Sequence, residues 1–569
     1  MYNENTPPVV ENSQVPQVQM PQVTQPIANA VNPYMAPQPV VQKKPRRQYS
    51  IKESIYAWLC YILAYLFVLT VPIRENSLGL LVVVVFMYAL STAFTVSKVK
   101  KLQAMPIVVG VSALVVSLGF VLNVSGFLRF FSFIYVMTAY CYYIYAMTGE
   151  NRFKFRDSIL IDFTKAIFVL PFYSLSDMFV SMFEGAKNKG GKTILKVVIG
   201  FGLAVIPTAI VLSLLSYDSD FSKLMDTIFH IEDFNLLTHL VKLFLALPLG
   251  AYAYGIYISS FDKKCDKILT TASCKKSMTK MRIAPAVTVV TAVLPVLFVY
   301  VVFFISQWKY YVSGFTGVLP KGFSYAEYAR EGFFQLCTVS VINLVMLTAI
   351  SLFLKRKEGK SSVLLKILAI VFSLFTLVLI STAVAKMMMY IDCYGLTPKR
   401  VYSTWLMLVL ALIFVLIILK QFIGRLRLIA LSLAVMVLMF SALTLSGVEK
   451  FIAEYNVNRY IDGTLPIVDV DALTDLNDAS IASQVRLYHH ITDEIMGDSY
   501  NILSVEEKEM YDEVILSLKR KATFMVEDKV SVNENIWSFT VPASEAEKAL
   551  TTTPFYGNSY AEELGFYWF

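Results

Sequence analysis

Long apolar runs separated by short polar and charged loops recur along most of the 569-residue chain. A helix that crosses a bilayer needs roughly 20 mainly apolar residues. By this measure the runs predict about eleven transmembrane helices, at 54–73, 78–97, 105–124, 127–147, 194–215, 236–259, 283–306, 332–354, 363–385, 402–419 and 427–446. The pattern therefore predicts an all-α polytopic integral membrane bundle over residues 51–446.

One loop of this bundle, residues 148–193, is long and carries an apolar run of its own from Ile161 to Phe183. Three charged residues and a proline interrupt that run, namely Asp162, Lys165, Pro171 and Asp177. Their spacing leaves an apolar face, so we predict an interfacial or re-entrant helix pair rather than a full span. Two additional spans here are the alternative, because they keep the total odd.

Both flanks of the bundle differ from it in composition. Residues 1–50 are rich in Pro and Gln and end in a basic cluster, which predicts a disordered cytoplasmic tail. Residues 447–569 hold 9 Lys and Arg against 22 Asp and Glu. Helical periodicity at Asp475–His490 and Val505–Arg520, with strand-like alternation at Ala522–Val541, predicts a small acidic α+β domain.

The distribution of charge predicts how the chain is oriented. The net charge is +8 and 56% of the residues are hydrophobic. Because Lys and Arg occupy every second loop, they indicate topology rather than a nucleic-acid partner. We expect a multi-pass protein of the cell membrane, with a cytoplasmic N-terminus, an extracytoplasmic C-terminal domain and the lipid bilayer as its main partner.

Charged residues enter the eighth predicted span, which gives the most informative candidate site. Ser324 and Glu327 have capping-box spacing, so a helix is expected to begin there. Four polar residues then share one helical face, and Arg330 adds a cation. Arg400, one turn into the tenth span, is predicted to pair with Glu327 or Glu331. The resulting outer polar cluster is predicted to comprise Glu327, Arg330, Glu331, Gln335, Thr338 and Arg400. The stripe either lines a polar cavity or packs against loop backbone, with Arg330 paired to Glu327 or another helix.

Candidates for chemistry elsewhere are weak. The acidic loop at Asp469–Ser480 lacks the Gly and Glu of a calcium-binding EF-hand loop, and the adjacent His489 and His490 point apart on a helix. The six cysteines have neither disulfide-framework nor metal-knuckle spacing. We therefore predict no catalytic residue, no cofactor and no metal ligand. Asn343, near the middle of its span, is expected to form an interhelical hydrogen bond.

Several segments give the chain a family resemblance over about residues 70–490. These are IPTAIVLSLLSYDSDF at 206–221, SYAEYAREGFFQL at 324–336, YGLTPKRVY at 394–402, NVNRYIDG at 456–463 and DALTDLNDASI at 471–481. They resemble an uncharacterised bacterial family, domain of unknown function 4173. The resemblance implies a polytopic membrane protein of Gram-positive type with no established activity, so no catalytic residues are carried over.

The sequence is compatible with three functions. The first is a non-enzymatic module that senses or scaffolds an envelope component, with a protein or envelope partner outside. The second is a secondary transporter or flippase with a polar path along the eighth span, helped by proline-broken helices. The third is an enzyme that acts on a lipid-linked substrate. The short first outer loop, PIREN, counts against the third hypothesis.

Overall fold

A computed structural model of the protein describes residues 47–71, 76–99, 104–148, 158–184, 200, 211, 230–231, 234–263, 270–306, 308, 325–355, 363–495, 504–506, 508–510, 513–514, 516–517 and 536–552. Within these residues the structure is mainly helical. The rest consists of turns, irregular segments, an isolated bridge between Ala284 and Leu354 and one antiparallel two-residue ladder. In this ladder β1, His230–Ile231, pairs with β2, Phe234–Asn235.

The first half of the chain forms a tightly packed helical group. Its helices are α1 (Ile51–Thr70), α2 (Ser77–Val96), α3 (Ala104–Ser117), α4 (Gly119–Leu122), α5 (Gly126–Met147), α6 (Ile159–Phe168), α7 (Leu170–Tyr173), α8 (Leu175–Glu184) and α9 (Leu236–Phe261). Ser50 begins α1 with a complete capping box to Glu53. One apolar core joins these helices, with Tyr56, Phe120 and Tyr254 fully buried in it.

The second half adds α10 (Thr271–Lys280), α11 (Ala286–Ser306), α12 (Tyr325–Phe353), α13 (Val363–Tyr394), α14 (Pro398–Phe422) and α15 (Leu428–Leu445). Helices α11 to α14 share a separate apolar core around Phe333, Phe372 and Phe414. Helix α15 packs against α14 and also against α3, so it joins the two halves.

Ten described helices are long and apolar enough to cross a membrane. They correspond to ten of the predicted spans, from Ile51–Thr70 to Leu428–Leu445. The remaining prediction, 194–215, lies almost entirely outside the described residues. The protein is thus a multi-pass helical membrane protein with about ten such helices among its described residues.

Side-chain contacts show which helix ends lie together. Lys98, after α2, lies 2.7 Å from Glu53 at the start of α1 and stands over the ring of Phe261 at the end of α9. We call this the basic end of the bundle. At the opposite end Asn123, after α4, donates to the carbonyl of Thr444 in α15. We call that the junction end.

The segment 158–184 forms three short helices rather than one long one. Gly255 of α9 faces the turn at α7, where an added Cβ would meet the Pro171 carbonyl oxygen at 2.5 Å. Tyr252 of α9 donates to the carbonyl of Ile167, and Ser54 of α1 donates to that of Ser181. The segment therefore packs among α1, α5 and α9 in the half of the bundle near the basic end. The interfacial or re-entrant placement of this segment in the membrane stays a prediction.

The C-terminal part is helical where it is described. Helices α16 (Val448–Ile461), α17 (Val470–Thr474), α18 (Asp478–Ile495) and α19 (Val541–Thr552) pack around Val457, Leu473 and Leu487. The predicted strands at 522–541 find no support, since 522–535 lie outside the described residues, Ile536–Ser538 is a 3-10 helix and Val541 begins α19. Alternating apolar residues indicated strands there, but a 3-10 turn can carry the same short pattern.

Candidate functional site

The predicted outer polar cluster begins in the first turns of α12. The side chains of Glu327, Arg330 and Glu331 lie outside the described part of the structure. Further along the helix Gln335 and Thr338 are both exposed, and Thr338 donates to its own helix at the Phe334 carbonyl, 2.8 Å away. Whether the stripe lines a cavity stays a prediction.

Arg400, the remaining member of the cluster, binds the end of the preceding helix. Its guanidinium donates to the carbonyls of Tyr394, at 2.8 Å, and Gly395, and it stacks 4.0 Å from the ring centroid of Tyr390. Carbonyls at a helix C-terminus lack intrahelical partners and carry partial negative charge, so a cation stabilises them. Arg400 therefore caps α13, and its predicted pairing with Glu327 or Glu331 stays a prediction.

A buried lysine of α13, Lys386, is absent from the site residues predicted from the sequence. Asn343 of α12 donates to Thr376 of α13, which fixes how these antiparallel helices are aligned. Lys386 lies ten residues after Thr376 in α13, and Phe333 lies ten residues before Asn343 in α12. Because both helices rise by about 1.5 Å per residue, Lys386 lies at the same depth in the bundle as Phe333. Its position in the apolar run from Ala383 to Met389 was visible in the sequence, and lysines within membrane helices often mark functional positions. In the structure Lys386 is only 8% exposed.

The prediction for Asn343 is confirmed. Its Oδ1 accepts from the Tyr300 hydroxyl at 2.6 Å, and its Nδ2 donates to Thr376 at 2.9 Å. Since the three residues belong to α11, α12 and α13, one buried amide links three membrane-length helices.

At the junction end, α16 is tied to the turn between α13 and α14. Asn456 of α16 accepts from the amide of Leu396 at 2.6 Å and donates to the carbonyl of the same residue at 2.8 Å. The turn can approach so closely because Gly395 has a φ of +70° and no side chain, where a Cβ would collide with Asn456. This contact joins two of the sequence segments that carry the family resemblance, YGLTPKRVY and NVNRYIDG.

Glu449, in the first turn of α16, makes the second tie. Its Oε1 accepts from the backbone amide of Ser125 at 3.3 Å and from the hydroxyl of Tyr402 at 3.4 Å. The residue is 3% exposed, close to the equally buried Arg129. Burial raises the pKa of the Glu449 carboxyl, although the hydrogen bonds and Arg129 act in the opposite direction.

We call this set of contacts the α16 junction; its residues are Asn123, Ser125, Arg129, Leu396, Tyr402, Glu449 and Asn456. It connects the α4–α5 loop, the α13–α14 turn and the first helix after the last span. Arg459 adds contacts from α16, to the Ile391 carbonyl at 3.3 Å and to Asp392 at 3.8 Å. The junction thus holds α16 against the ends of α5, α13 and α14.

Metal-binding side chains are not grouped in the described part of the chain. No set of three His, Cys, Asp or Glu residues there could hold a metal ion. The His490 ring instead lies edge-on to Tyr460, with centroids 6.2 Å apart. The side chains of Asp493 and Glu494, one turn further along α18, lie outside the described residues.

Comparison with protein families gives one match. Residues 110–487 match the family model described as a domain of unknown function, DUF4153. The protein belongs to the DUF4153 family. The number expected from the sequence motifs, 4173, is not confirmed. No curated protein and no solved structure matches the chain.

The DUF4153 region begins within α3 and ends within α18. It therefore contains every residue of the α16 junction, on both sides of the domain boundary predicted at residue 446. This extent indicates that α16 and the spans it touches belong to one family unit.

Proposed function

We propose that this DUF4153 protein is a non-enzymatic membrane module that senses or scaffolds a component of the cell envelope. The observation that carries the proposal is the α16 junction, where Glu449 and Asn456 attach the helices beyond the last span to the ends of α5, α13 and α14. A partner that binds those helices would act directly on the membrane bundle. The Gram-positive cell membrane and the extracytoplasmic position of α16 are part of this proposal.

A secondary transporter or flippase is the second candidate. Lys386 favours it, because a lysine buried at the level of Phe333 is suited to a charged path beside α12. The exposed Gln335 and Thr338 lie on that helix. An envelope enzyme acting on a lipid-linked substrate gains no support of this kind from the described residues.

The two leading candidates and the enzyme are separable by complementation of a strain that lacks the protein, with survival under envelope stress as the readout. We expect Asn456→Ala to abolish complementation while the protein stays in the membrane, because it uncouples α16 from the α13–α14 turn. Asn458→Ala is the matched control, since Asn458 is exposed on the same helix. We expect Lys386→Met, Glu331→Gln and Asp392→Asn to complement normally.

Each contrary result identifies a different error. Full complementation by Asn456→Ala overturns the module, because coupling through the junction is then unnecessary. Loss of complementation by Lys386→Met, at a normal protein level, favours transport. Loss by Glu331→Gln or Asp392→Asn while Lys386→Met still complements, with the level again unchanged, favours an enzyme.

A further inference from the structure

Helix α10 is short, basic and well capped. The hydroxyl of Thr270 accepts from the amide of Ser273 at 3.1 Å, which stabilises its first turn. From Thr270 to Ala284 the sequence contains Lys275, Lys276, Lys280 and Arg282, and it contains no acidic residue. Such a segment attracts an anionic partner.

Helical spacing separates the apolar and cationic residues of α10. Cys274, Met278 and Met281 follow at intervals of four and three residues, so they share one face. The three lysines lie away from that face and are exposed. Met278 is 44% and Met281 is 40% exposed, so the described part of the chain leaves this apolar stripe largely uncovered.

The structure attaches α10 to the edge of the bundle. The amide of Ala284 donates to the Phe353 carbonyl at 3.0 Å, and the amide of Lys355 donates to the Ala284 carbonyl at 2.8 Å. These bonds hold the chain after α10 against the end of α12. Because α11 begins at Ala286, α10 stands next to the start of a membrane-length helix, at the basic end.

We propose that α10 lies in the membrane surface and binds anionic phospholipid headgroups. Its stripe of Cys274, Met278 and Met281 enters the boundary between headgroups and acyl chains, while Lys275, Lys276 and Lys280 bind the phosphates. A basic amphipathic helix with an uncovered apolar face has the composition for this position. The uncovered methionines favour a bilayer over a soluble polyanion, which offers charge but no apolar phase.

The native thiol of Cys274 reports on this placement. We would reconstitute the full-length protein in nanodiscs of phosphatidylcholine alone, or with phosphatidylglycerol, and measure alkylation of Cys274 by a water-soluble maleimide using peptide mass spectrometry. We expect alkylation to be at least about fivefold slower with phosphatidylglycerol, the factor that a single lysine contributes near an anionic surface. The thiol introduced by Ala272→Cys lies on the opposite face of α10. It should react at similar rates in nanodiscs with and without phosphatidylglycerol.

Charge-matched variants test the cause. Lys275→Gln with Lys276→Gln should abolish the protection of Cys274 by phosphatidylglycerol. Lys399→Gln with Arg486→Gln removes two exposed cations elsewhere and should preserve it. Equal alkylation in both lipids, or protection that persists without Lys275 and Lys276, would overturn the proposal. So would protection of Cys274 by soluble RNA in phosphatidylcholine discs, which would indicate a polyanion partner.

Discussion

A carboxyl group buried at the α16 junction makes the stability of the protein depend on pH. Burial raises the folded-state pKa of Glu449 above its ordinary value of 4.5, while the unfolded chain keeps the ordinary value. Between these two values the folded protein binds more protons than the unfolded chain does. Its free energy of unfolding therefore falls as the pH rises through this window, and the full contribution of Glu449 is present only below it.

We predict that Glu449→Gln removes this part of the pH dependence. The amide oxygen can still accept from Ser125 and Tyr402, but it cannot ionise. Thermal unfolding midpoints should be measured in detergent from pH 4 to 8. The midpoint of the variant should rise relative to that of the wild-type protein as the pH increases. Glu454→Gln, on the same helix, controls for the loss of a charge. A constant difference between Glu449→Gln and the wild-type protein would show that Glu449 does not titrate as described.

Single residues of the junction could not be identified from sequence. Glu449 and Asn456 lie in a mixed polar and apolar segment that is typical of a surface helix, and only tertiary contacts with Ser125 and Leu396 bury them. Arg400 was recognised as important near a helix start, but its described partners are carbonyls at the end of α13. Lys386 is different, because its position inside an apolar run was visible in the sequence.

At the scale of elements, close packing holds the broken segment α6–α8 against α9. Gly255 lets the turn at Pro171 approach the α9 backbone, and Gly250 similarly admits the backbone of Tyr61 in α1. Tyr252 and Tyr254 donate hydrogen bonds to Ile167 and Ser181, so the segment is also held by polar contacts. Small residues that permit such approach are a common basis of helix packing in membranes.

We predict that Gly255→Ala is strongly destabilising. Its Cβ would meet the carbonyl oxygen of Pro171 at 2.5 Å, so α7 must move away from α9. Overpacking of this kind costs about 1–3 kcal/mol, occasionally more. Gly126→Ala is the control, because nothing lies within 4 Å of the added carbon. Unfolding in detergent should show a lower midpoint for the first variant alone, and equal midpoints would mean that α7 does not pack on Gly255.

The membrane-length helices were predictable because apolarity over about 20 residues is a strong signal. The residues at which these helices end were less predictable. Helix α13 was expected to stop at residue 385, before Lys386, but it continues to Tyr394. A charged residue does not end a helix, and Gly395, with its positive φ, does. The C-terminal strands were predicted from alternation alone, which is a weak signal without a partner strand.

At the scale of the whole molecule, side-chain contacts give the directions in which the described helices run. Helix α1 is antiparallel to α9, because Tyr56 packs on Tyr257 near the basic end while Tyr65 contacts His239 near the other. Helices α2 and α5 run parallel, since Ser91 and Thr92 contact Tyr140 and Tyr143. Helices α5 and α8 both end near the basic end, yet α9 begins at the junction end. The chain between α8 and α9 must therefore connect opposite ends of the bundle.

We predict that the end of α8 and the start of α9 lie near opposite surfaces of the membrane, which agrees with the predicted span at 194–215. The test places single cysteines in a background without the six native ones, through Ser97→Cys at the basic end, Asn458→Cys on α16 and Asn235→Cys before α9. In intact cells an impermeant maleimide should label Asn458→Cys and Asn235→Cys. It should label Ser97→Cys only after the cells are permeabilised. The positive-inside rule assigns the basic end to the cytoplasm.

The pairwise pattern of labelling separates the two parts of this prediction. If Asn235→Cys is labelled only after permeabilisation, like Ser97→Cys, the start of α9 lies at the basic end and the described arrangement of α9 is wrong. If the labelling of all three sites is inverted, the arrangement of α9 holds and only the orientation is wrong. An inverted result would also place α16 in the cytoplasm, where it could not bind an envelope partner, so the same experiment tests the proposed module.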